Sequence, residues 1–142
     1  MIKIIKITLD NNIDLLKDFI LKIGTNAKLF RYYNSRPISI IKNHLVTLLL
    51  IDGEKTIAYG HLDKEKENIW LGICVLPEYT SSGYGKKMMD ALLEEGKKLN
   101  LSQIVLTVDK DNCNAISLYE KMRFYKVEEN DYYYKYRYNL ER

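Results

Sequence analysis

The stretch of chain that most constrains the fold runs from residue 68 to residue 109. "NIWLGICVL" (68–76) is apolar and rich in β-branched residues, as a buried strand is. "MMDALLEEGKKLNL" (88–101) repeats its apolar residues at helical spacing, and the spacing predicts a helix over 83–99. "SQIVLTVD" (102–109) is again strand-like. Strand, helix and strand in that order make a βαβ unit. Its two strands must run parallel, or splayed from parallel, with a right-handed crossover. "PEYTSSGYGKKMM" (77–89) joins the first strand to the helix and puts Gly83 and Gly85 where the helix begins.

The flanking sequence limits what can surround this unit. "IKIIKITL" (2–9) predicts a first strand, and "NIDLLKDFILKIG" (12–24) a helix with Ile13, Leu16, Phe19, Ile20 and Ile23 on one face. "ISIIKNH" (38–44), after Pro37, predicts a short helix. "LVTLLLID" (45–52) and "KTIAYGHLD" (55–63) read as hairpin strands joined by an Asp-Gly turn, and "KEKE" (64–67) turns the chain into 68–76. "NAISLYEKM" (114–122) predicts a helix, "FYKVEEN" (124–130) and "YYYKYRYNL" (132–140) two last strands. An antiparallel meander followed by a βαβ unit implies α/β or α+β with a mixed sheet. At 142 residues, with no repeat or low-complexity linker, residues 1–142 read as one domain.

The glycines at the helix start have a physical rationale. The first turn of a helix carries unpaired N–H groups and the positive end of its dipole. Gly83 and Gly85 lack a Cβ, so a ligand can approach the backbone. Thr80, Ser81 and Ser82 add hydroxyls, and Lys86 and Lys87 add positive charge. Such a segment suits phosphate oxygens. It equally suits a plain left-handed turn into a helix, because a lone GxG is common. It is neither a P-loop nor a dinucleotide fingerprint. The residue five before Gly85 is Thr80, Lys87 follows Lys86, and Met88 stands three after Gly85.

A net charge of +3 gives no case for nucleic acid but suits an anionic ligand. Cys74 and Cys113 have no metal-site spacing and read as reduced thiols of a cytoplasmic protein. No segment is apolar for long enough to span a membrane, and the amino end has too short an apolar run for a signal peptide.

"CVLPEYTSSGYGKKMMDALLEEGKKL" followed by "IVLTVDKDNCNAISLYEKMRFYKV" resembles the GNAT superfamily of acyl-coenzyme A-dependent N-acetyltransferases. Val75, Pro77 and Tyr79 match the family's V-x-P-x-[YW], and Gly83 and Gly85 its [QR]-x-x-G-x-[GA]. Asn112, Ala115, Ile116, Leu118, Tyr119, Lys121 and Phe124 match N-x-x-A-[IL]-x-[LF]-Y-x-[KR]-x-G-F. The match covers roughly residues 70–127. Three positions depart from the pattern. Thr80 replaces a Gln or Arg, Ser81 a common glycine, and Arg123 the glycine before Phe124.

The resemblance implies a GNAT fold. That is a mixed, mostly antiparallel twisted sheet of about seven strands with a central splayed parallel pair, flanked by about four helices. It implies acetyl-coenzyme A as co-substrate and no metal. The pantetheine arm would bond backbone groups near Ile73 and Val75 as an added strand. The pyrophosphate would lie on the N–H groups of Ser81, Ser82, Gly83, Tyr84, Gly85 and Lys86, with Thr80 beside them at the Gln/Arg position, and Asn112 would meet the pantetheine amide. An N–H at a bulge near Ile73 would hold the oxyanion. Tyr119 would protonate the leaving thiolate, or else it is a packing residue.

The base is open. His61 suits it at pH 7, with His44 or a water chain as alternatives, and Glu67 and Asp63, at or near the turn, are expected to point to solvent. Cys74 reads as packing. The acceptor would be a small-molecule amine, with no nucleic acid or membrane as partner and a homodimer allowed. Arg31, Arg36, Trp70 and the tyrosines 132, 134, 136 and 138 would suit an amino-sugar nucleotide, or else the tyrosines cover a sheet face and the arginines are solvated. The implied function is N-acetyl transfer to a primary amine by direct attack in a ternary complex. The alternative is a noncatalytic acyl-coenzyme A sensor or subunit.

Overall fold

The computed structural model describes residues 1–23, 32–33 and 36–140. The order is β1 (Ile2–Lys6), α1 (Ile13–Ile23), a 3-10 turn (Ile38–Asn43), β2 (His44–Asp52), β3 (Lys55–Glu65) and β4 (Asn68–Val75). A second 3-10 turn (Pro77–Tyr79) leads to α2 (Tyr84–Lys98), β5 (Gln103–Asp109), α3 (Cys113–Lys121), β6 (Tyr125–Glu129) and β7 (Tyr133–Asn139). The seven strands form one sheet in the order β1-β2-β3-β4-β5-β7-β6. Every neighbouring pair is antiparallel except β4 and β5.

The elements sit close to where the periodicity puts them, with the ends of β1 and β3 shifted most. The first strand stops at Lys6, because Thr8 and Asn11 close a tight bridge that turns the chain toward α1. The Asp-Gly turn between β2 and β3 has Gly53 at φ 62°, a conformation that glycine adopts without strain.

The sheet is covered on both faces. On one face α2 and α3 bury Met88, Met89, Leu92 and Tyr119 against Leu48, Leu50, Leu62, Leu71, Ile104 and Leu106. Each such side chain stabilises by roughly 1.5–3 kcal/mol. Gly60 of β3 lies directly under α2, where a Cβ would come 2.8 Å from Met88 Sδ and Leu92 Cδ1. On the other face α1 buries Leu16, Phe19 and Ile23 against Ile7, Leu49, Tyr59 and Leu76.

Of the two expectations for the carboxyl-terminal tyrosines, an acceptor site or a covered sheet face, three of the four meet the second. Tyr134, Tyr136 and Tyr138 pair with Val108, Leu106 and Ile104, on the face covered by α2 and α3. Tyr136 is buried and its hydroxyl donates to Glu120 at 2.6 Å. Tyr132 precedes β7 and is exposed. The α1 face of β7 carries Lys135 and Arg137 instead, because side chains alternate along a strand.

Candidate functional site

β4 and β5 touch at one bridge, Trp70 with Val105. Past it β4 runs on to Val75 and β5 to Asp109 with no further pairing between them. The sheet is therefore split at its centre. The backbone groups facing the split follow from alternation. Leu76 N–H donates to Ile57 O at 3.0 Å, so Leu76, Cys74 and Gly72 direct their backbone groups to β3. Ile73 and Val75 direct theirs the other way, into the split. An extended ligand chain has two residues there to bond, as a third strand would. The expected bulge near Ile73 is absent. The register of β3 with β4 is continuous from Ala58–Val75 to Glu65–Asn68, so an unbulged β4 carries the Ile73 N–H.

The split opens toward the start of α2. The first amide to find a carbonyl there is that of Lys87, on Gly83 O at 3.1 Å. Among the described residues, nothing accepts from the amides of Ser81, Ser82, Gly83, Tyr84, Gly85 and Lys86. Ser81 has φ 65° and Gly83 φ 88°, so the backbone curls into a concavity edged by N–H groups. A Cβ on Gly83 would meet nothing within 4 Å, and the space over it is open. Gly85 differs, because a Cβ there would come 3.2 Å from Leu118 Cδ2. Gly85 thus lets α2 approach α3. Two other residues are partly spent. The Thr80 hydroxyl donates to Pro77 O at 2.9 Å, and Lys86 pairs with Asp90 at 3.0 Å. The concavity is made by backbone, with exposed Lys87 and the hydroxyls of Ser81 and Ser82 beside it.

α3 closes the other side. Tyr119 is buried, with its ring 5.9 Å from Phe124 and 6.5 Å from Tyr136. Burial pushes its phenol well above the ordinary range, and nearby Cys74 adds to the shift. The hydroxyl therefore holds its proton at any working pH. Burial likewise pushes the Cys74 thiol up to about 12, which leaves it un-ionised and inert as a nucleophile. Asn112 is the N-cap of α3, and its Oδ1 accepts from the Ala115 amide at 3.2 Å. Its Nδ2 remains as a donor for a ligand. Arg123 ends the helix at φ 73°, in the left-handed conformation that a glycine would take.

The α1 face of the sheet holds a polar cluster beside the split. His61 is 6% exposed, and its ring stacks on His44 with centroids 4.4 Å apart. His61 Nδ1 bonds Tyr59 Oη at 2.7 Å, and Tyr59 Oη bonds Tyr33 Oη at 2.8 Å. Both nitrogens of His44 are taken, Nε2 by the Tyr32 hydroxyl and Nδ1 by Thr47 Oγ1 at 2.9 Å. His61 Nε2 has no hydrogen bond among the described residues. Of the two histidines, His61 alone has a nitrogen to offer a substrate. Burial, then His44, then Arg36 lower its pKa to about 3, and burial and Arg36 lower that of His44 to about 4. Both rings are neutral at pH 7.

Asp63 does not point to solvent at a turn. β3 continues two residues beyond it, to Glu65, and pairs Asp63 with Trp70. Its carboxyl accepts from Tyr32, and burial raises its pKa. The Arg36 guanidinium lies 4.5 Å from the centroid of the Tyr32 ring. Arg31 falls outside the described residues. Trp70 sits at the single β4–β5 bridge with Lys135 Nζ 5.3 Å from its ring centroid, and the neighbouring Arg137 has a buried Nε with no hydrogen bond. Sequence reasoning missed Tyr32, Tyr33, Tyr59, Lys135 and Arg137. The alternation of β3 and β7 was a usable signal for Tyr59, Lys135 and Arg137, which share a face with His61 and Trp70.

Among the described residues, no three His, Cys, Asp or Glu side chains stand together as a metal ion would need, and no helix is long and apolar enough to cross a membrane.

A family model described as the acetyltransferase (GNAT) family matches residues 14–124. No curated protein matches the chain significantly. Among solved structures, an acetyltransferase of the GNAT family from Staphylococcus aureus Mu50 is 22% identical with a TM-score of 0.79, over 99% of this chain and 100% of that one. The PaiA N-acetyltransferase from Thermoplasma acidophilum, in complex with coenzyme A, is 18% identical with a TM-score of 0.77, over 98% and 99%. The ribosomal-protein-S18-alanine N-acetyltransferase from Escherichia coli is 16% identical with a TM-score of 0.76, over 99% and 94%.

Proposed function

The chain belongs to the acetyltransferase (GNAT) family, and on that premise we propose that it transfers an acetyl group from acetyl-coenzyme A to a primary amine bound on the α1 side of the sheet. The observation that carries this reading is the parting of β4 from β5 beyond Trp70–Val105, with the unpartnered amides of Ser81–Lys86 at its open end. A pyrophosphate suits those amides, since a helix start favours negative charge. A pantetheine chain suits the free backbone edge at Ile73 and Val75. Asn112 keeps its Nδ2 as a further donor. The coenzyme A complex of the Thermoplasma protein, which has a similar fold, supports the same ligand here.

Each chemical demand has a residue suited to it. The amine must give up a proton, and His61 Nε2 is the free imidazole nitrogen on the acceptor side. The Ile73 N–H faces the split and suits the negative charge that develops on the thioester oxygen. The leaving thiolate needs a proton, and Tyr119 holds a phenolic proton in a buried site. The amine attacks directly, because Cys74 stays a neutral thiol.

Arg36 and Trp70 are the acceptor residues we retain among those described. A cation and an aromatic face suit an amine that also carries an anionic group, a nucleotide-linked amino sugar being one such class. The test is thiol release from acetyl-coenzyme A with a panel of neutral and anionic primary amines. Turnover with anionic amines supports the reading. Tight coenzyme binding with no turnover across the panel would make the protein an acyl-coenzyme A-binding subunit instead.

A further inference from the structure

We infer that Tyr59 and Tyr33 carry the acceptor's proton from His61 to the surface, so that the base is a relay rather than a store. The inference rests on the reading of His61 as the base and adds the route by which the proton leaves.

Three side chains form a continuous hydrogen-bonded chain. His61 Nδ1 is 2.7 Å from Tyr59 Oη, and Tyr59 Oη is 2.8 Å from Tyr33 Oη, both within hydrogen-bond range. Tyr59 is fully buried, so its hydroxyl has no contact with solvent. Tyr33 is half-buried and lines a surface groove of about 360 Å³ with Lys17, Ile20, Arg36 and Ile38. At the other end His61 Nε2 has no hydrogen bond among the described residues, and the ring lies on Gly72 of β4, next to Ile73. The chain thus runs from the edge of the split to an open groove on the α1 side.

The surroundings of His61 favour a relay over a lasting imidazolium. The ring is buried, stacked on His44 and close to Arg36, and each of these disfavours an imidazolium. Among the described residues, Tyr59 and Tyr32 are the other titratable groups against the ring, both neutral phenols. Asp63, its charge partly offset by Arg36 and engaged by Tyr32, is not a hydrogen-bond partner of His61. A base that cannot keep a proton must pass it on as it receives it.

The transfer balances. Nε2 accepts a proton from the amine while Nδ1–H donates to Tyr59 Oη. Tyr59 gives its own proton to Tyr33 Oη, and Tyr33 gives its proton to water in the groove. The imidazole begins as the Nδ1–H tautomer, ends as the Nε2–H tautomer and is never charged. The amine has lost one proton and groove water has gained one. His44 cannot serve as a second route, because Tyr32 and Thr47 occupy both its nitrogens.

The test is the single-turnover rate in mixtures of light and heavy water for wild type, Tyr59→Phe, Tyr33→Phe and His61→Ala. Wild type is expected to depend on deuterium fraction with curvature, the sign of several protons moving together. Tyr59→Phe keeps the ring and cuts the chain. Its rate should fall about tenfold or more, the scale of general acid–base catalysis, and its dependence should become linear. Tyr33→Phe should do the same without touching a fully buried residue, so a folding defect in the first variant leaves the second to decide. A purely structural role would lower the melting temperature and leave the curvature intact, which overturns the relay. Loss of activity in His61→Ala with wild-type behaviour in both Phe variants would also overturn the relay while keeping His61 as base. Wild-type rates in His61→Ala would remove the base and the relay together.

Discussion

His61 lies on Gly72, and a methyl group on that glycine would stand 2.5 Å from His61 Cε1 and 2.8 Å from Nε2. The two residues are cross-strand partners in β3 and β4. The missing side chain lets the imidazole settle against the strand whose next residue, Ile73, faces the split. Gly72→Ala should push the ring away while leaving the backbone edge of β4 in place. The expected stability loss is about 1–3 kcal/mol, as for other overpacked sites. The turnover rate should fall about tenfold or more, with coenzyme affinity nearly unchanged. A rate equal to wild type, measured where chemistry limits, would show that the ring's position does not matter.

Tyr119 is the residue proposed to protonate the leaving thiolate. Tyr119→Phe keeps the contacts with Phe124 and Tyr136 and removes only the hydroxyl, which makes no hydrogen bond among the described residues. The turnover rate should drop by roughly tenfold or more, with little change in coenzyme affinity or melting temperature. Steady-state kinetics beside calorimetry separates these effects. An unchanged rate would assign Tyr119 to packing alone.

The two buried histidines make stability depend on pH. In the folded chain His44 titrates at about 4 and His61 at about 3, both below the ordinary 6.5. Between those values and 6.5 the unfolded chain binds more protons than the folded one. Stability is therefore full above about 6.5 and is lost as pH falls toward 4 and then 3. The slope reaches about 1.4 kcal/mol per pH unit for each histidine. Melting temperature recorded from pH 7.5 to 4.5 should fall steadily in wild type and less steeply in His44→Gln. Parallel curves would mean that His44 takes up its proton without cost to the fold.

Arg123 occupies a left-handed position after α3, at φ 73°. The turn is closed by Phe124 N–H on Tyr119 O and Arg123 N–H on Glu120 O, both bonds of a helix end that favours glycine. The side chain is exposed, so removing it costs no packing. Arg123→Gly should stabilise by roughly 0.5–1 kcal/mol and raise the melting temperature by about 2–4 °C. A lower melting temperature would mean that the arginine makes a compensating contact.

Most of the fold was legible because its signals are local. Strand alternation, helical spacing and the Asp-Gly turn placed the elements, and two motifs at the right separation named the family. What stayed hidden depends on which way a face points. Alternation put Tyr134, Tyr136 and Tyr138 on one side of β7 but could not say that α3 covers that side. Asp63 looked solvent-exposed because the end of β3 was set two residues early. The Tyr33–Tyr59–His61 chain joins a segment before β2 to the middle of β3, and nothing local in "RYYNSRP" points to it.

The account stands or falls on the backbone cradle at the start of α2. Gly83 is the cleanest probe, since a Cβ there meets nothing within 4 Å and the residue lies among the unpartnered amides. Its φ of 88° also disfavours any side chain, at a cost of about 1–2 kcal/mol that a folded domain can bear. The decisive measurement is calorimetric titration of acetyl-coenzyme A into wild type and Gly83→Val, with the fold of each checked by its thermal transition. The account predicts saturable binding to wild type and loss of at least a hundredfold in affinity in a variant that still melts cooperatively. Equal affinity in the two proteins would contradict it.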